Sequence, residues 1–223
     1  MTSLLKKNIL IIFGSFVLLD IIGLSFNVPA LHFITKPLLM PVLIAAVLLS
    51  APKTAGRNKI ITALFFSFLG DVFLLFTDKL FFILGLVCFL LTHVLYIAWF
   101  IQLNKTGASL LRKYPYIIVA VVAYTLSLLY FLMPGLEKDL KIPVVVYACI
   151  ISIMLCCSFN LPFSMNSQAR YLLIAGAFSF IVSDSLLAID KFYHSFAFAP
   201  VLIMLTYCIA QYFIVKGFIR NSN

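Results

Sequence analysis

Eight apolar runs divide this sequence, and each reaches or approaches the length needed to cross a bilayer. They lie at about residues 9–26, 38–51, 60–76, 81–102, 114–133, 142–159, 169–189 and 196–218. A helix of roughly 20 residues spans the hydrocarbon core. In that medium a backbone satisfies its own polar groups only as a helix or a closed barrel, and continuous runs of this length select the helix. The expected fold is an all-α membrane protein, a single bundle of eight transmembrane helices over residues 1–223. The second run is short. It becomes long enough if its helix starts at Lys36-Pro37, with Thr35 as N-cap and Pro37 in the first turn. The first run follows two lysines, as in a signal peptide, but it has no clear small-x-small cleavage site and continues past Asp20. It is expected to stay as the first helix.

Composition excludes the main alternatives. At 64% hydrophobic and 10% charged, the chain is too apolar for an ordinary soluble domain. A formal charge of +9 invites a nucleic-acid reading, which the placement of the charges rejects. Lys6, Lys7, Lys53, Arg57, Lys59, Lys105, Arg112, Lys113, Arg170, Lys216 and Arg220 fall on one side of the expected bundle; Lys36, Lys79, Lys138, Lys141 and Lys191 fall on the other. Eleven against five places both termini in the cytoplasm by the positive-inside bias. The expected location is an integral membrane one, the inner membrane of a bacterium. The five cysteines sit in apolar runs and are expected to be small core residues. No Cys or His spacing suggests a metal, and no organic cofactor is expected.

Carboxylates inside these runs point to function. Asp71 lies within FSFLGDVFLLF (66–76) and Asp184 within SFIVSDSLLAIDKF (179–192). A charge at the centre of a membrane helix costs about 2.5–3.5 kcal/mol on insertion scales, so such residues mark interior or wet sites. At 1.5 Å of rise per residue, Asp20, Asp71 and Asp184 lie about five or six residues before the outer ends of their helices. His93 and Tyr207 lie near mid-membrane, Tyr147 about five residues into its helix, and Lys36 at an outer mouth. These groups share the non-cytoplasmic half of the bilayer, which predicts one site there.

If Asp71 and Asp184 face each other, like charge in a low dielectric keeps one protonated and the other ionised. That supplies a general acid and a general base in one place. The plainer alternative is that each aspartate ties its helix to a neighbour. Asp20 either completes the site or is structural. His93 and Tyr96 stand one turn apart on one face, as do Tyr207 and Gln211; each pair either touches substrate or holds helices together. Lys36 either snorkels to the headgroups or holds a substrate phosphate as a point charge. Ser183 and Ser185 flank Asp184 and are candidates to orient it. Asp190-Lys191 is expected to be a solvated pair at a helix end. GDVFLL (70–75) and SDSLLA (183–188) are similar enough to raise a parallel duplication of two four-helix halves.

Five segments in order, TKPLLMP (35–41), FLGDVFLL (68–75), FLLTHVLYIAWF (89–100), SDSLLAIDKF (183–192) and TYCIAQYFIV (206–215), give the chain its resemblance. It resembles the YhhN-like family of membrane proteins, which includes the lysoplasmalogenases. The resemblance implies an eight-helix bundle and hydrolysis of the vinyl ether bond of a lysophospholipid, giving a fatty aldehyde and glycerophosphoethanolamine or glycerophosphocholine. It implies Asp71 and Asp184 as the catalytic pair, with Lys36, His93, Tyr96, Ser183, Tyr207 and Gln211 around them, and Asp20 and Tyr147 as further candidates. No metal or cofactor is implied, and bilayer lipid is the surrounding partner.

The alternative class is a transporter of a small molecule or lipid. The sequence lacks the paired Gly/Pro interruptions at membrane depth that transporters use. An intramembrane aspartyl protease would require Y-D on one helix and G-x-G-D on another; Asp71 follows Leu69-Gly70 and Asp184 follows Val182-Ser183, so neither pattern is complete.

Overall fold

A computed structural model describes residues 2–104 and 107–222, with side chains from residue 8 onward. Lys105, and the side chains of Lys6 and Lys7, which enter the charge count above, lie outside the described residues. The structure is helical: α1 (Thr2–Ser25), α2 (Pro29–Ser50), α3 (Ala55–Phe73), α4 (Lys79–Leu103), the short α5 (Leu110–Lys113), α6 (Tyr116–Leu132), α7 (Lys138–Phe159), α8 (Ser167–Phe192) and α9 (Ala199–Ser222). A 3-10 turn, Met133–Gly135, follows α6. Among the described residues, seven helices are long and apolar enough to cross a membrane: α1, α2, α4, α6, α7, α8 and α9. The protein is an all-helical integral membrane protein. The remaining long helix, α3, has 19 residues and carries Arg57, Lys59 and Asp71.

The chain forms two compact units, Met1–Tyr96 with Ser222–Asn223, and Ile97–Asn221. The boundary falls inside α4, not in the loop that separates two four-helix halves. In the first unit α1 packs on α2 and α2 on α3. Asn27, at φ 53°, turns the chain after α1, and Val28 N–H donates to the Gly23 carbonyl at 2.8 Å, closing the helix end in the left-handed manner that Asn tolerates. A Cβ at Gly70 would stand 2.7 Å from Phe89 Cε2, so α3 and α4 approach closely there. Leu39, Met40, Leu43, Val47, Ile60 and Leu64 have no exposed surface and form this unit's core.

The second helix departs from the expected 38–51. It begins at Pro29, which occupies the first turn where a missing N–H costs nothing, and runs 22 residues with Pro37 and Pro41 inside it. At 1.5 Å per residue that is about 33 Å, a full crossing. Thr35 is therefore not an N-cap and Lys36 is not at a helix mouth. Both lie in the second turn or beyond and are buried. The α3 helix starts earlier than expected because Thr54 caps it, accepting from Arg57 N–H at 3.1 Å. It also ends earlier, at Phe73, in a turn closed by Leu75 N–H and Phe76 N–H. Asp71 thus lies in its last turn.

In the second unit α7 packs on α6 and α8, and α6 on α8. A Cβ at Gly176 of α8 would meet Ile214 Cγ1 of α9 at 2.7 Å, and one at Gly217 of α9 would meet Leu173 Cγ of α8 at 2.8 Å. Small residues let these two helices approach, the usual device where lipid supplies no hydrophobic drive. Gly135 admits no Cβ, because one would collide with the Phe192 carbonyl. The loop after α4 is locked by side chains: Asn104 Nδ2 donates to the Asn160 carbonyl at 2.5 Å, Gly107 N–H to Asn104 Oδ1 at 2.7 Å, and Ser109 Oγ to Asn160 Oδ1 at 2.8 Å. Arg170 does more than add to the charge count. It is buried, and its Nη1 donates to the Pro162 and Phe163 carbonyls at 3.3 and 3.1 Å. Asp190 accepts from Ser195 Oγ at 2.9 Å and holds the turn after α8.

Candidate functional site

Buried polar side chains gather in both units. In the second unit they surround a cavity of about 40 Å³. Tyr124 and Thr125 of α6, Tyr147 and Ser152 of α7, and Asp184 and Ser185 of α8 supply its polar lining; Leu128, Val144, Ile151 and Ile181 are among the apolar side chains that complete it. Helical spacing explains the set. Tyr147 and Ile151 stand four residues apart, and Asp184 and Ser185 stand four and three residues before Ala188, so each set lies on one side of its helix. The Tyr147 hydroxyl donates to Asp184 Oδ2 at 2.5 Å. Tyr124 OH donates to Ser185 Oγ at 2.7 Å, and Ser185 Oγ in turn to the Ile181 carbonyl at 2.6 Å. Thr125 Oγ1 and Ser152 Oγ lie 2.7 Å apart. One water needs about 10–15 Å³ on this measure, so the cavity has room for water beside Asp184, although its open surface is almost wholly apolar.

In the first unit the polar cluster joins α1 to α2. Asp20 is 1% exposed. Its Oδ1 accepts from His32 Nδ1 at 2.9 Å and from Thr35 Oγ1 at 2.6 Å. Thr35 Oγ1 is also 2.8 Å from the Leu31 carbonyl, so its single proton is shared between two acceptors. Lys36, next in sequence, is 7% exposed. Deeper in the same unit Asp71, His93 and Tyr96 are buried almost completely. Near them Ser67 and Thr92 hydroxyls lie 3.1 Å apart, and Thr92 Oγ1 is 3.0 Å from the Ala63 carbonyl.

Several sequence candidates therefore acquire definite partners. Tyr147, a secondary candidate, is the hydrogen-bond donor to Asp184. Asp20 belongs to a His-Thr cluster. Ser183 donates to the Ile203 carbonyl at 3.0 Å, so its hydroxyl ties α8 to α9. Ser185 bonds Tyr124 and its own helix. Tyr207 packs edge-on against Phe180 at 5.6 Å between centroids, and Gln211 is fully buried. Asp71 and Asp184 lie in different units. His32, Tyr124, Thr125 and Ser152 were not singled out in the sequence. A signal for His32 exists, since His32, Thr35 and Lys36 share one face of α2; Tyr124 carries no such local signal. Among the described residues no group of three His, Cys, Asp or Glu side chains could hold a metal ion.

The sequence matches the YhhN family over residues 31–218. It is 32% identical to lysoplasmalogenase TMEM86A of Bos taurus over 169 residues, which are 74% of this chain and 67% of that protein. It is 31% identical to a lysoplasmalogenase of Mycobacterium bovis over 183 residues, 80% of this chain and 67% of that protein. Lysoplasmalogenase TMEM86B of Mus musculus is 29% identical, over 81% of this chain and 73% of its own length. No solved structure matches significantly. With the match covering residues 31–218 of 223, the chain belongs to the YhhN family.

Proposed function

We propose that this protein is an intramembrane hydrolase of single-chain ether lipids, lysoplasmalogenase-like, cleaving the vinyl ether bond of a lysophospholipid. The observation that carries the proposal is a carboxylate at membrane depth, Asp184, hydrogen-bonded by Tyr147 and lining a cavity with room for water, in a chain whose curated relatives are named lysoplasmalogenase. Vinyl ether hydrolysis starts with a proton delivered to the β-carbon, which leaves an oxocarbenium ion. Water adds to that cation and loses a proton, and the resulting hemiacetal collapses to a fatty aldehyde and a glycerophospho alcohol. The demand is the one glycosidases meet with two carboxyl groups, one as acid and one as base. Asp184 and Asp71 are the proposed pair; the case for Asp71 rests on its burial within a membrane-length run and on the sequence segments shared with the family. Lys36, His93, Tyr96, Ser183, Tyr207 and Gln211 are the proposed substrate contacts. Eight crossings, with α3 as the eighth, both termini in the cytoplasm and the site in the outer half of a bacterial inner membrane complete the proposal, which the distribution of Lys and Arg supports.

The test is aldehyde release by the purified protein from a 1-alkenyl lysophospholipid, beside Asp71→Asn and Asp184→Asn. Aldehyde from the wild type and none from either variant is expected, with all three folded in detergent. Turnover retained by both variants would reject the aspartate mechanism. A folded wild type that releases no aldehyde would reject the hydrolase reading and turn attention to transport.

A further inference from the structure

The deep cavity is absorbed by the proposed chemistry, but the α1–α2 cluster is not. Its arrangement is unusual for a merely structural contact. Lys36 is 7% exposed, and among the described residues its ammonium has no hydrogen-bond or ionic partner. A snorkelling lysine extends its whole side chain toward water; most of this one is buried. A charge held in a largely buried side chain with no ion partner is costly, and a partner anion removes most of that cost. One turn earlier on the same face stands His32, whose Nδ1 is engaged by buried Asp20 at 2.9 Å while its side chain keeps 21% exposure. Asp20 thus fixes the ring and directs the far edge, with Nε2, away from the carboxylate, as carboxylates behind functional histidines do. The surroundings select a lipid. Phe33, Ile34 and Leu38, on the neighbouring faces of α2, are exposed apolar side chains of a helix long and apolar enough to cross a membrane, where the available anions are lipid phosphates.

We propose that His32 and Lys36, with Asp20 holding His32 in place, form a binding subsite for the phosphate of a single-chain lipid. The subsite rests on the lipid-hydrolase reading only for the choice of lipid. It accounts for phosphate recognition by two donors of different kind, a fixed imidazole edge and a point-charge ammonium, and leaves the vinyl ether to the carboxylates.

Binding, rather than turnover, separates this proposal from the one above. The probes are 1-O-hexadecyl-sn-glycero-3-phosphoethanolamine, whose saturated ether is not a vinyl ether, and 1-O-hexadecylglycerol, which lacks the phosphate. Both are titrated into the full-length protein in detergent and followed by microscale thermophoresis, with inorganic phosphate as a third arm. Wild type is expected to prefer the phospholipid by about tenfold or more, a hydrogen bond to a charged group being worth that much. His32→Ala and Lys36→Met should each erase most of the preference while leaving hexadecylglycerol binding unchanged. Lys36→Arg, which keeps the charge and guards against a folding artefact, should retain it. Equal weakening of both lipids would mean a structural role and overturn the subsite, as would an unaltered preference in both variants. Competition by millimolar inorganic phosphate equal to that of the phospholipid would reassign the site to free phosphate and overturn the lipid assignment. Loss of aldehyde release with phosphate preference intact would refute the hydrolase and not the subsite.

Discussion

Tyr147→Phe removes one hydroxyl and keeps the ring that fills the α7–α8 interface. The bond lost is the 2.5 Å contact to Asp184 Oδ2. A hydrogen bond to an ionised group is worth about 1.5–3 kcal/mol, or roughly 10- to 150-fold in rate if it acts wholly in the transition state. The structure argues for the low end. The adjoining cavity measures about 40 Å³, more than the 10–15 Å³ or so a water requires, and a water can replace much of a lost hydroxyl. The expected result is a fall of about tenfold in kcat for aldehyde release, with KM changed by less than about threefold, because the substitution disturbs the reacting carboxylate rather than ground-state binding. The assay is continuous reduction of the released aldehyde by a coupled alcohol dehydrogenase. The same substitution in an Asp184→Asn background should shift the thermal midpoint less than it does in wild type, since the two side chains are in direct contact and their effects are not additive. Unchanged kcat would refute a role for Tyr147 in holding the carboxylate. A loss as complete as that of Asp184→Asn would also refute it, and would make the phenol itself essential.

Three further outcomes follow from the packing. Gly176→Val should lower the thermal midpoint in detergent by an amount equivalent to about 1–3 kcal/mol, because its Cβ would stand 2.7 Å from Ile214 Cγ1 and 3.0 Å from the Ala210 carbonyl. Asn104→Ala removes the 2.5 Å bond to the Asn160 carbonyl and the 2.7 Å bond from Gly107 N–H; a loss of about 2 kcal/mol, read from the same melting curves, is expected at this buried position. Arg170→Lys preserves the charge but replaces the planar guanidinium whose Nη1 donates to the Pro162 and Phe163 carbonyls, so stability should fall by about 1–2 kcal/mol with membrane insertion, scored by membrane fractionation, unchanged.

The helices were legible because each is dictated by local hydrophobic length. In hydrocarbon a backbone must bond to itself along the same segment, so a run of apolar residues announces its helix without reference to the rest of the chain. Where the boundaries shifted, the cause was also local but subtler. Pro29 starts α2 nine residues before the expected first residue, Leu38, and a tight turn ends α3 at Phe73 so that Asp71 sits in the last turn. The candidate residues were legible as costs. Asp20, Asp71 and Asp184 were conspicuous because a carboxylate in an apolar run demands an explanation.

Partners are another matter. Asp184 meets Tyr147 across 37 residues of sequence, Tyr124 meets Ser185 across 61, and Asp20 meets His32 on a different helix. Those pairings depend on how far one helix is rotated toward its neighbour, and that rotation is set by side-chain fit at contacts such as Gly176 against Ile214 and Gly70 against Phe89. No local pattern encodes it, because lipid and protein interior are equally apolar and the usual polar-out, apolar-in stripe is absent. The sequence by itself therefore determined that the chain is a helical membrane protein with carboxylates at depth. Tertiary structure decided which hydroxyl holds Asp184, which histidine Asp20 orients, and that Lys36 is a mostly buried side chain within α2 rather than a residue at a helix mouth.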